Sequence, residues 1–232
     1  MNLRWAVLKG SVQGREKRDN RDALFTREVE LPGGILALVA GVADGITQCP
    51  YGGAVARWVC RHLTDCPLSL ASFSETPGTI TRTIEEAREA FRKELAGSED
   101  FAQSGCTLTV GVIVEGRLHG FWVGDSPILV SSSSGSPLET ECLTSPDLNP
   151  NGELVDQFES NSPMSIKHVE RRLRAGDVVT LATDGFTRIW DPGSLSSAYS
   201  EGLFDEGLTR QLLGLPFKDD ATFIAIRIGT CT

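Results

Sequence analysis

The sequence predicts an α+β fold built on antiparallel sheets. Runs typical of β-strands occupy both ends of the chain, short turn sequences join several of them, and two helical patterns lie together in between. Strands joined by tight turns pair antiparallel, whereas each parallel pair needs a long crossover. The predicted order is three strands, two helices, three strands, a loop-rich stretch, and then a strand, a helix and a last strand.

The first half of the chain supplies three strands and two helices. Strands are predicted at 4–12, 23–30 and 35–43, and the turn sequence LPGG at 31–34 makes the second and third a hairpin. Apolar residues at helical spacing predict a helix over 51–66. A second helix is predicted from about Ile80 to Leu95, with Thr76 as a cap and Pro77 in its first turn.

The second half is predicted to be mostly strand and loop. Strands at 106–114, 118–124 and 127–131 are expected to form one antiparallel meander. The stretch from 131 to about 170 is rich in Ser, Pro and Asn and is predicted to be loop-like. A buried strand is expected within 172–185, a short helix at 205–214 and a last strand at 221–228. No change of composition marks a boundary, so residues 1–232 are predicted to form one domain.

Composition excludes several classes of protein. The formal net charge is −9, which argues against a nucleic-acid or anionic-membrane binder because either needs a basic surface. No apolar run approaches the roughly 20 residues that span a membrane. The N-terminus lacks a cleavage signal. A cytoplasmic protein is therefore expected, and the chain is expected to be a monomer.

The cysteines do not suggest a disulfide framework or a zinc site. The six residues have irregular spacings and no CxxC pair occurs, and the three histidines are far apart in the sequence. Reduced thiols in a cytoplasmic protein are the simpler interpretation. The cysteines are at positions 49, 60, 66, 106, 142 and 231.

Five aspartates share one position, the point where a predicted strand meets a turn. Two of them, Asp44 and Asp184, follow strongly apolar runs and precede a glycine. Carboxylates brought close together repel one another unless a cation intervenes, and oxygen ligands of this kind suit Mg²⁺ or Mn²⁺. One Asp-Gly is usually just a turn, but five such positions favour a metal site. The five are Asp22, Asp44, Asp125, Asp184 and Asp219.

These motifs resemble the protein phosphatase 2C (PPM) family in its short bacterial form, in order and over nearly the whole chain. The matching segments are GREKRDNRDA (14–23), VADGITQCPYGGAVAR (42–57), SGCTLTVGVI (104–113), GFWVGDSPILV (120–130), LRAGDVVTLATDGF (173–186) and KDDATFIAIRI (218–228). The resemblance implies a four-layer α-β-β-α sandwich of two antiparallel sheets flanked by helices. It also implies hydrolysis of phosphoserine and phosphothreonine in proteins by a water that bridges two metal ions.

The resemblance implies a role for each aspartate. Asp44 would bridge two Mn²⁺ or Mg²⁺ ions with help from the Gly45 carbonyl, and Asp184 and Asp219 would hold the first ion; these three aspartates are the catalytic set. Asp22 would bind from the second layer or through water, and Asp125 would help Asp184 at a third, weaker ion site. The partners implied are a phosphorylated protein and a cognate Ser/Thr kinase.

Four positions depart from the family pattern. Lys17 stands where the family has an arginine that binds phosphate, so Lys17 and the adjacent Arg18 are the candidates for that role. Arg21 occupies a position that is usually acidic or an amide, and would weaken the second metal site if it pointed inward. Pro127 replaces the common arginine after GDS, and no histidine follows Asp44 closely.

Two alternatives to an active phosphatase stay open. The first is a catalytically weak or inactive phosphatase-like module that binds a phosphorylated partner or regulates a kinase, which Lys17 and Arg21 would favour. The second is another hydrolase with an acidic metal site, such as a nuclease, which the net charge and the motif order disfavour. Metal binding and phosphopeptide binding together distinguish the first alternative from the phosphatase.

Overall fold

The computed structural model describes residues 3–68, 75–95, 101, 103–132, 139–159, 161, 164–189 and 206–230. The predictions for the loop at 133–137 and for Cys231 lie outside these residues. The helices are α1 (Gly52–Asp65), α2 (Thr76–Leu95), α3 (Asp184–Thr187) and α4 (Glu206–Leu213). The strands are β1 (Leu3–Val12), β2 (Ala23–Leu31), β3 (Ile35–Ala43), β4 (Gly105–Cys106), β5 (Leu108–Val114), β6 (Arg117–Val123), β7 (Ile128–Ser132), β8 (Glu139–Cys142), β9 (Phe158–Glu159), β10 (Lys167–Arg172), β11 (Val178–Ala182) and β12 (Ala221–Thr230).

The long strands form two antiparallel sheets of five strands each. The first sheet has the order β1-β12-β11-β7-β8, and the second has the order β10-β6-β5-β3-β2. Ala23 lies opposite Ala43, so β2 begins at the edge of the second sheet where β3 ends. In the first sheet Ala182 lies opposite Phe223, so β12 begins where β11 ends. These ends carry the aspartates predicted from the sequence.

The strand β3 shows why its sequence is apolar throughout. Side chains alternate across a strand, and Leu38, Ala40 and Val42 pack between the two sheets. Ala37 and Val39 face the opposite way, into the core beneath the helices. Both faces of β3 are therefore buried, which explains a continuous apolar run in an antiparallel sheet.

Helices cover the outer face of each sheet. On the second sheet, α1 and α2 pack through side chains that include Val55 and Phe91. On the first sheet, α4 packs through Leu212 against Phe223 and its neighbours. This arrangement confirms the predicted four-layer α-β-β-α sandwich. Within the described residues, no helix is both long enough and apolar enough to cross a membrane.

One predicted strand lies in a different sheet. The sequence predicted that 127–131 would continue the meander of β5 and β6, but β7 pairs with β11 and β8 in the first sheet. The chain crosses from one sheet to the other in the segment 124–127, between β6 and β7. Alternation of apolar residues indicates a strand and which of its faces is buried, but it does not indicate which sheet the strand joins.

The predicted loop from 131 to about 170 contains three strands, β8, β9 and β10, so that prediction was partly wrong. The side chains of β8 and β10 are largely polar and none of them is buried, so neither strand has the apolar alternation that marks a strand in a sequence.

The second helix begins at Thr76, four residues before the predicted start, so Thr76 is the first helical residue and not the cap.

Candidate active site

The five strand-end aspartates come together at one end of the two sheets. Asp22 and Asp44 flank the β2–β3 pair, and Asp125 follows β6, so the second sheet supplies three of them. Asp184 and Asp219 come from the ends of β11 and β12 in the first sheet. Burial raises the pKa of Asp44 well above its ordinary value, and the charges of the other four aspartates raise it further. The five aspartates therefore lie near enough for their charges to interact.

The backbone of Asp44 is held by Thr107. The Asp44 amide donates to the Thr107 hydroxyl (3.1 Å), and the Thr107 amide donates to the Asp44 carbonyl (2.9 Å). The Thr107 hydroxyl also lies 2.7 Å from that of Ser126, next to Asp125. The Thr107 and Ser126 hydroxyls thus connect two of the aspartate-bearing turns, although they are 19 residues apart in the sequence.

Gly45 is required by close packing against the start of α1. A Cβ atom at Gly45 would overlap the backbone of Gly52 and Gly53, and one at Gly52 would overlap that of Ile46. The glycine pair after the Asp-Gly turn therefore lets the first turn of α1 lie directly against the turn that carries Asp44. Steric contact, and not only the flexibility of a turn, explains this part of the motif.

Asp22 is a buried carboxylate that is only half satisfied. Its Oδ2 accepts a hydrogen bond from the Thr183 hydroxyl (2.9 Å), while its Oδ1 is buried without a hydrogen-bond partner. Burial raises the pKa of Asp22 from 3.8 to about 7, and the charges of Asp220 and Asp184 act in the same direction. A buried carboxylate oxygen without a partner is costly, so a cation near this cluster would relieve both the repulsion and the unpaired oxygen.

Asp184 and Asp219 are paired with an arginine that was not among the residues predicted from the sequence. Arg188 follows Asp184 by one helical turn, and its Nη2 forms an ion pair with Asp184 Oδ2. Its Nη1 lies 3.4 Å from Asp219 Oδ2. The available signal was the i,i+4 spacing of acid and base in the sequence DGFTR.

Lys17 reaches the aspartates and Arg18 does not. The Lys17 Nζ lies 2.7 Å from Asp219 Oδ1 and donates to the Thr47 hydroxyl at 2.9 Å. Burial alone would lower the pKa of Lys17, but the hydrogen bond to Asp219 and the nearby carboxylates raise it above the ordinary value. Arg18 is exposed on the same loop and makes no ion pair within the described part of the chain.

Arg21 and Pro127, which depart from the family pattern, form no ion pair with the five strand-end aspartates; the Arg21 Nε lies 3.6 Å from Asp19 Oδ1 instead. The Arg21 guanidinium donates to the carbonyls of Thr47 (2.9 Å) and Cys49 (3.2 Å), and its aliphatic part lies over Gly53. Arg21 therefore braces the loop before α1. Pro127 contributes only its carbonyl, which accepts from the Ala182 amide at 3.2 Å.

Asp125 lies on a turn that a later segment holds in place. Gly124 has a φ of 98°, which favours glycine, and a Cβ there would lie 2.8 Å from Thr107. The Gly124 amide donates to the buried Asp147 carboxylate (2.9 Å), and the Asp147 amide donates back to the Gly124 carbonyl (3.1 Å). Lys167 forms an ion pair with the other oxygen of Asp147. Neither Asp147 nor Lys167 belongs to a motif that could be recognised in the sequence.

Asp220, next to Asp219, has a structural role. It is buried, and its two oxygens accept from the amides of Gly14 (2.9 Å) and Arg21 (2.9 Å). These bonds tie the loop between β1 and β2 to the start of β12. The loop that carries Lys17 is thereby fixed beside Asp219.

The donor set fits a divalent cation in composition, because it is made of clustered carboxylates with one buried oxygen unsatisfied. As placed, however, no three acidic, histidine or cysteine side chains among the described residues converge on one point that could hold an ion. Two of the carboxylates instead face Lys17 and Arg188. The site therefore already contains cationic groups of the chain itself.

The sequence matches a family model described as protein phosphatase 2C over residues 10–212. A comparison with curated protein sequences finds no match.

Solved structures share the fold at low sequence identity. A structure described as a bacterial serine phosphatase has a TM-score of 0.80 at 17% identity, covering 99% of this chain and 100% of that one. PppA, described as a key regulatory component of T6SS in Pseudomonas aeruginosa, has a TM-score of 0.76 at 18% identity, covering 97% of each chain. The Mycobacterium tuberculosis serine/threonine phosphatase PstP/Ppp has a TM-score of 0.74 at 17% identity, covering 98% of this chain and 99% of that one. The fold is thus one that known Ser/Thr phosphatases adopt.

Proposed function

The chain belongs to the protein phosphatase 2C family, and from that premise we propose that it is a Mn²⁺- or Mg²⁺-dependent phosphatase acting on phosphoserine and phosphothreonine in proteins. The observation that carries the proposal is that five aspartates from both sheets lie at one end of the sandwich, where the charges of four of them act on Asp44. Residues 1–232 would act as one phosphatase domain.

The aspartates would share the binding of the ions. Asp44, central to the cluster by its electrostatic coupling to the other four, would bridge two ions, with the Gly45 carbonyl beside it. Asp184 and Asp219 would complete the first site. Asp22 would support that site from the second layer or through a water molecule, and Asp125 would help to bind a third, weaker ion. When bound, divalent ions of this kind activate a water and neutralise charge on the phosphoryl oxygens.

The chain's own residues would orient the substrate and the site. Lys17, on the β1–β2 loop, forms an ion pair with Asp219 and therefore lies beside the aspartates. It would bind the phosphoryl group of the substrate as a point charge. Arg18, exposed on the same loop, would contact the phosphoprotein at the rim. Thr107 would keep Asp44 fixed through its two hydrogen bonds to the Asp44 backbone.

We propose a phosphorylated protein as the substrate, produced by a Ser/Thr kinase in the same compartment, and a monomeric enzyme in the cytoplasm. The acidic net charge of −9 supports a protein substrate over nucleic acid, because it would repel a polyanion. Size-exclusion chromatography with light scattering tests the oligomeric state directly.

A phosphatase assay on the purified chain tests the proposal. With Mn²⁺ or Mg²⁺ we expect release of phosphate from an aryl phosphate and from phosphoserine and phosphothreonine peptides, and loss of that release with a chelator. Asp184→Asn removes one charged ligand and should lower kcat by about 10²-fold or more. Asp65→Asn, an exposed carboxylate at the end of α1, is the matched control and should leave the rate unchanged. Activity that survives both chelator and Asp184→Asn would remove the basis for a metal mechanism.

One observation favours the second candidate function, a phosphatase-like module without turnover. Lys17 and Arg188 pair with carboxylates that the ions would need. If these pairs persisted, the domain could bind a phosphorylated partner but would not hydrolyse it. Titration calorimetry separates the two: absence of Mn²⁺ binding together with tight phosphopeptide binding would favour this candidate.

A further inference from the structure

Arg188 connects the two aspartates of the first sheet. Asp184 is the first residue of α3, and the Arg188 amide donates to the Asp184 carbonyl (2.9 Å), so the two side chains lie one turn apart on the same side. From there the guanidinium reaches Asp184 Oδ2 and, at 3.4 Å, Asp219 Oδ2. One planar fork therefore serves two carboxylates from two different strand ends.

The same two carboxylates are the ones that the proposed function assigns to a divalent ion. A guanidinium and a metal ion compete for the same oxygen lone pairs, and their positive charges repel each other. Asp44 and Asp22, by contrast, make no ion pair with any described residue. The buried and unpartnered Asp22 Oδ1 is an independent sign that this cluster requires a cation that the chain does not fully supply.

We propose that Arg188 is a resident counter-ion that competes with the divalent ion for Asp184 and Asp219 and so sets the metal affinity of this chain. The inference rests on the proposed function, since it uses the same carboxylates. Arg188 is 65% exposed, so its ion pairs are solvent-screened and each is weak. The ion therefore displaces the guanidinium at a modest cost in free energy. Arg188 lowers the affinity of the site for the ion but does not prevent binding.

Calorimetric titration with Mn²⁺ tests this inference without relying on turnover. Arg188→Gln should bind Mn²⁺ about three- to thirty-fold more tightly than the wild type, because two exposed ion pairs no longer have to be broken. Arg188→Lys keeps the charge but cannot fork between two carboxylates, so its affinity should fall between the two. Raising the ionic strength should narrow the difference between wild type and Arg188→Gln.

Arg92→Gln is the matched control. Arg92 also forms an exposed ion pair with a carboxylate, Glu89 on α2, and its replacement changes the net charge by the same amount. Its Mn²⁺ affinity should stay within about two-fold of the wild type, since only weak long-range repulsion changes. Thermal melting of each variant checks that the exposed substitutions leave the fold intact.

The outcomes separate this inference from the proposed function. An affinity gain in Arg188→Gln no larger than that in Arg92→Gln, or a loss of affinity, overturns the counter-ion role even if the wild type is an active Mn²⁺-dependent phosphatase. A selective gain in Arg188→Gln supports the role even if the wild type hydrolyses no phosphoester. If no variant binds Mn²⁺, both ideas fail.

Discussion

Asp22 has surroundings that are poorly suited to a free charge. Its Oδ1 is buried without a partner, and burial together with the nearby Asp220 and Asp184 raises its pKa to about 7. In the folded, metal-free chain this carboxyl therefore holds its proton to a much higher pH than it does in the unfolded chain. That difference makes the stability of the metal-free chain depend on pH.

The sign of this dependence follows from the raised pKa. The stability that Asp22 contributes is fully present below its unfolded pKa of about 4 and is lost as the pH rises through about 7. In chelator, the free energy of unfolding should fall across this window, and Asp22→Asn should reduce the slope by up to about 1.4 kcal/mol per pH unit. Urea denaturation at a series of pH values measures the slope. Asp65→Asn should leave the slope as it is, and a slope in Asp22→Asn equal to that of the wild type would contradict the assignment.

Single residues were predictable where the chemistry was local. The strand-end position of Asp22, Asp44 and Asp125 could be identified from the sequence because each one directly borders a strand pattern. Arg188 was visible only as an i,i+4 spacing, and nothing in the sequence showed that its guanidinium would also reach Asp219, 31 residues later. Contacts made by long side chains depend on the tertiary arrangement, which local patterns do not encode.

At the scale of elements, burial decided what the sequence could reveal. Strands such as β3 and β11, buried on both faces, give continuous apolar runs and were predicted. The edge strand β10 has no buried side chain and was taken for loop. The position of β7 in the first sheet was missed because the short crossover after Gly124 changes the sheet without changing the strand pattern.

The segment 143–147 is the element that fixes this crossover. The Trp122 indole donates to the Ser145 carbonyl (3.0 Å), and Asp147 is bonded to Gly124 in both directions. The segment therefore holds the turn that carries Asp125, although Gly124 and Asp147 are 23 residues apart in the sequence. This segment lies in the stretch that the sequence predicted to be loop-like, and its contacts hold the turn next to Asp125.

Removing the Asp147 carboxylate tests that role. Asp147→Ala leaves the buried Gly124 amide unsatisfied and Lys167 without its partner, so it should lower the free energy of unfolding by about 2–4 kcal/mol. Asp147→Asn keeps an acceptor for the amide and should cost less. Urea denaturation gives both values.

Asp156→Ala is the matched control for this experiment. Asp156 accepts one exposed hydrogen bond, from the Ser165 amide (2.9 Å), in the same part of the chain. Its removal should cost under about 1 kcal/mol. If Asp147→Ala were no more destabilising than Asp156→Ala, the segment would not be holding the turn.

At the scale of the whole molecule, the aspartate cluster lies across the interface of the two sheets. The second sheet supplies Asp22, Asp44 and Asp125, and the first supplies Asp184 and Asp219. Between the sheets the buried contact is largely aliphatic, through side chains such as Ile113 and Ile224. Ions bound by carboxylates from both sheets would therefore cross-link the sandwich at one end. They would also offset the repulsion between the aspartate charges.

Mn²⁺ should consequently stabilise the folded chain as a whole. At about 100 times the dissociation constant, an ion that binds only the folded state adds about 2.7 kcal/mol to the free energy of unfolding, which for a chain of this size is a rise of several degrees in Tm. Asp44→Asn should abolish this rise, because Asp44 is the residue expected to bridge the ions. The same substitution should also make the metal-free chain more stable than the wild type, because it removes a buried carboxylate that the other four aspartates repel. Asp65→Asn should respond to Mn²⁺ as the wild type does, and an undiminished rise in Asp44→Asn would mean that the ion binds elsewhere.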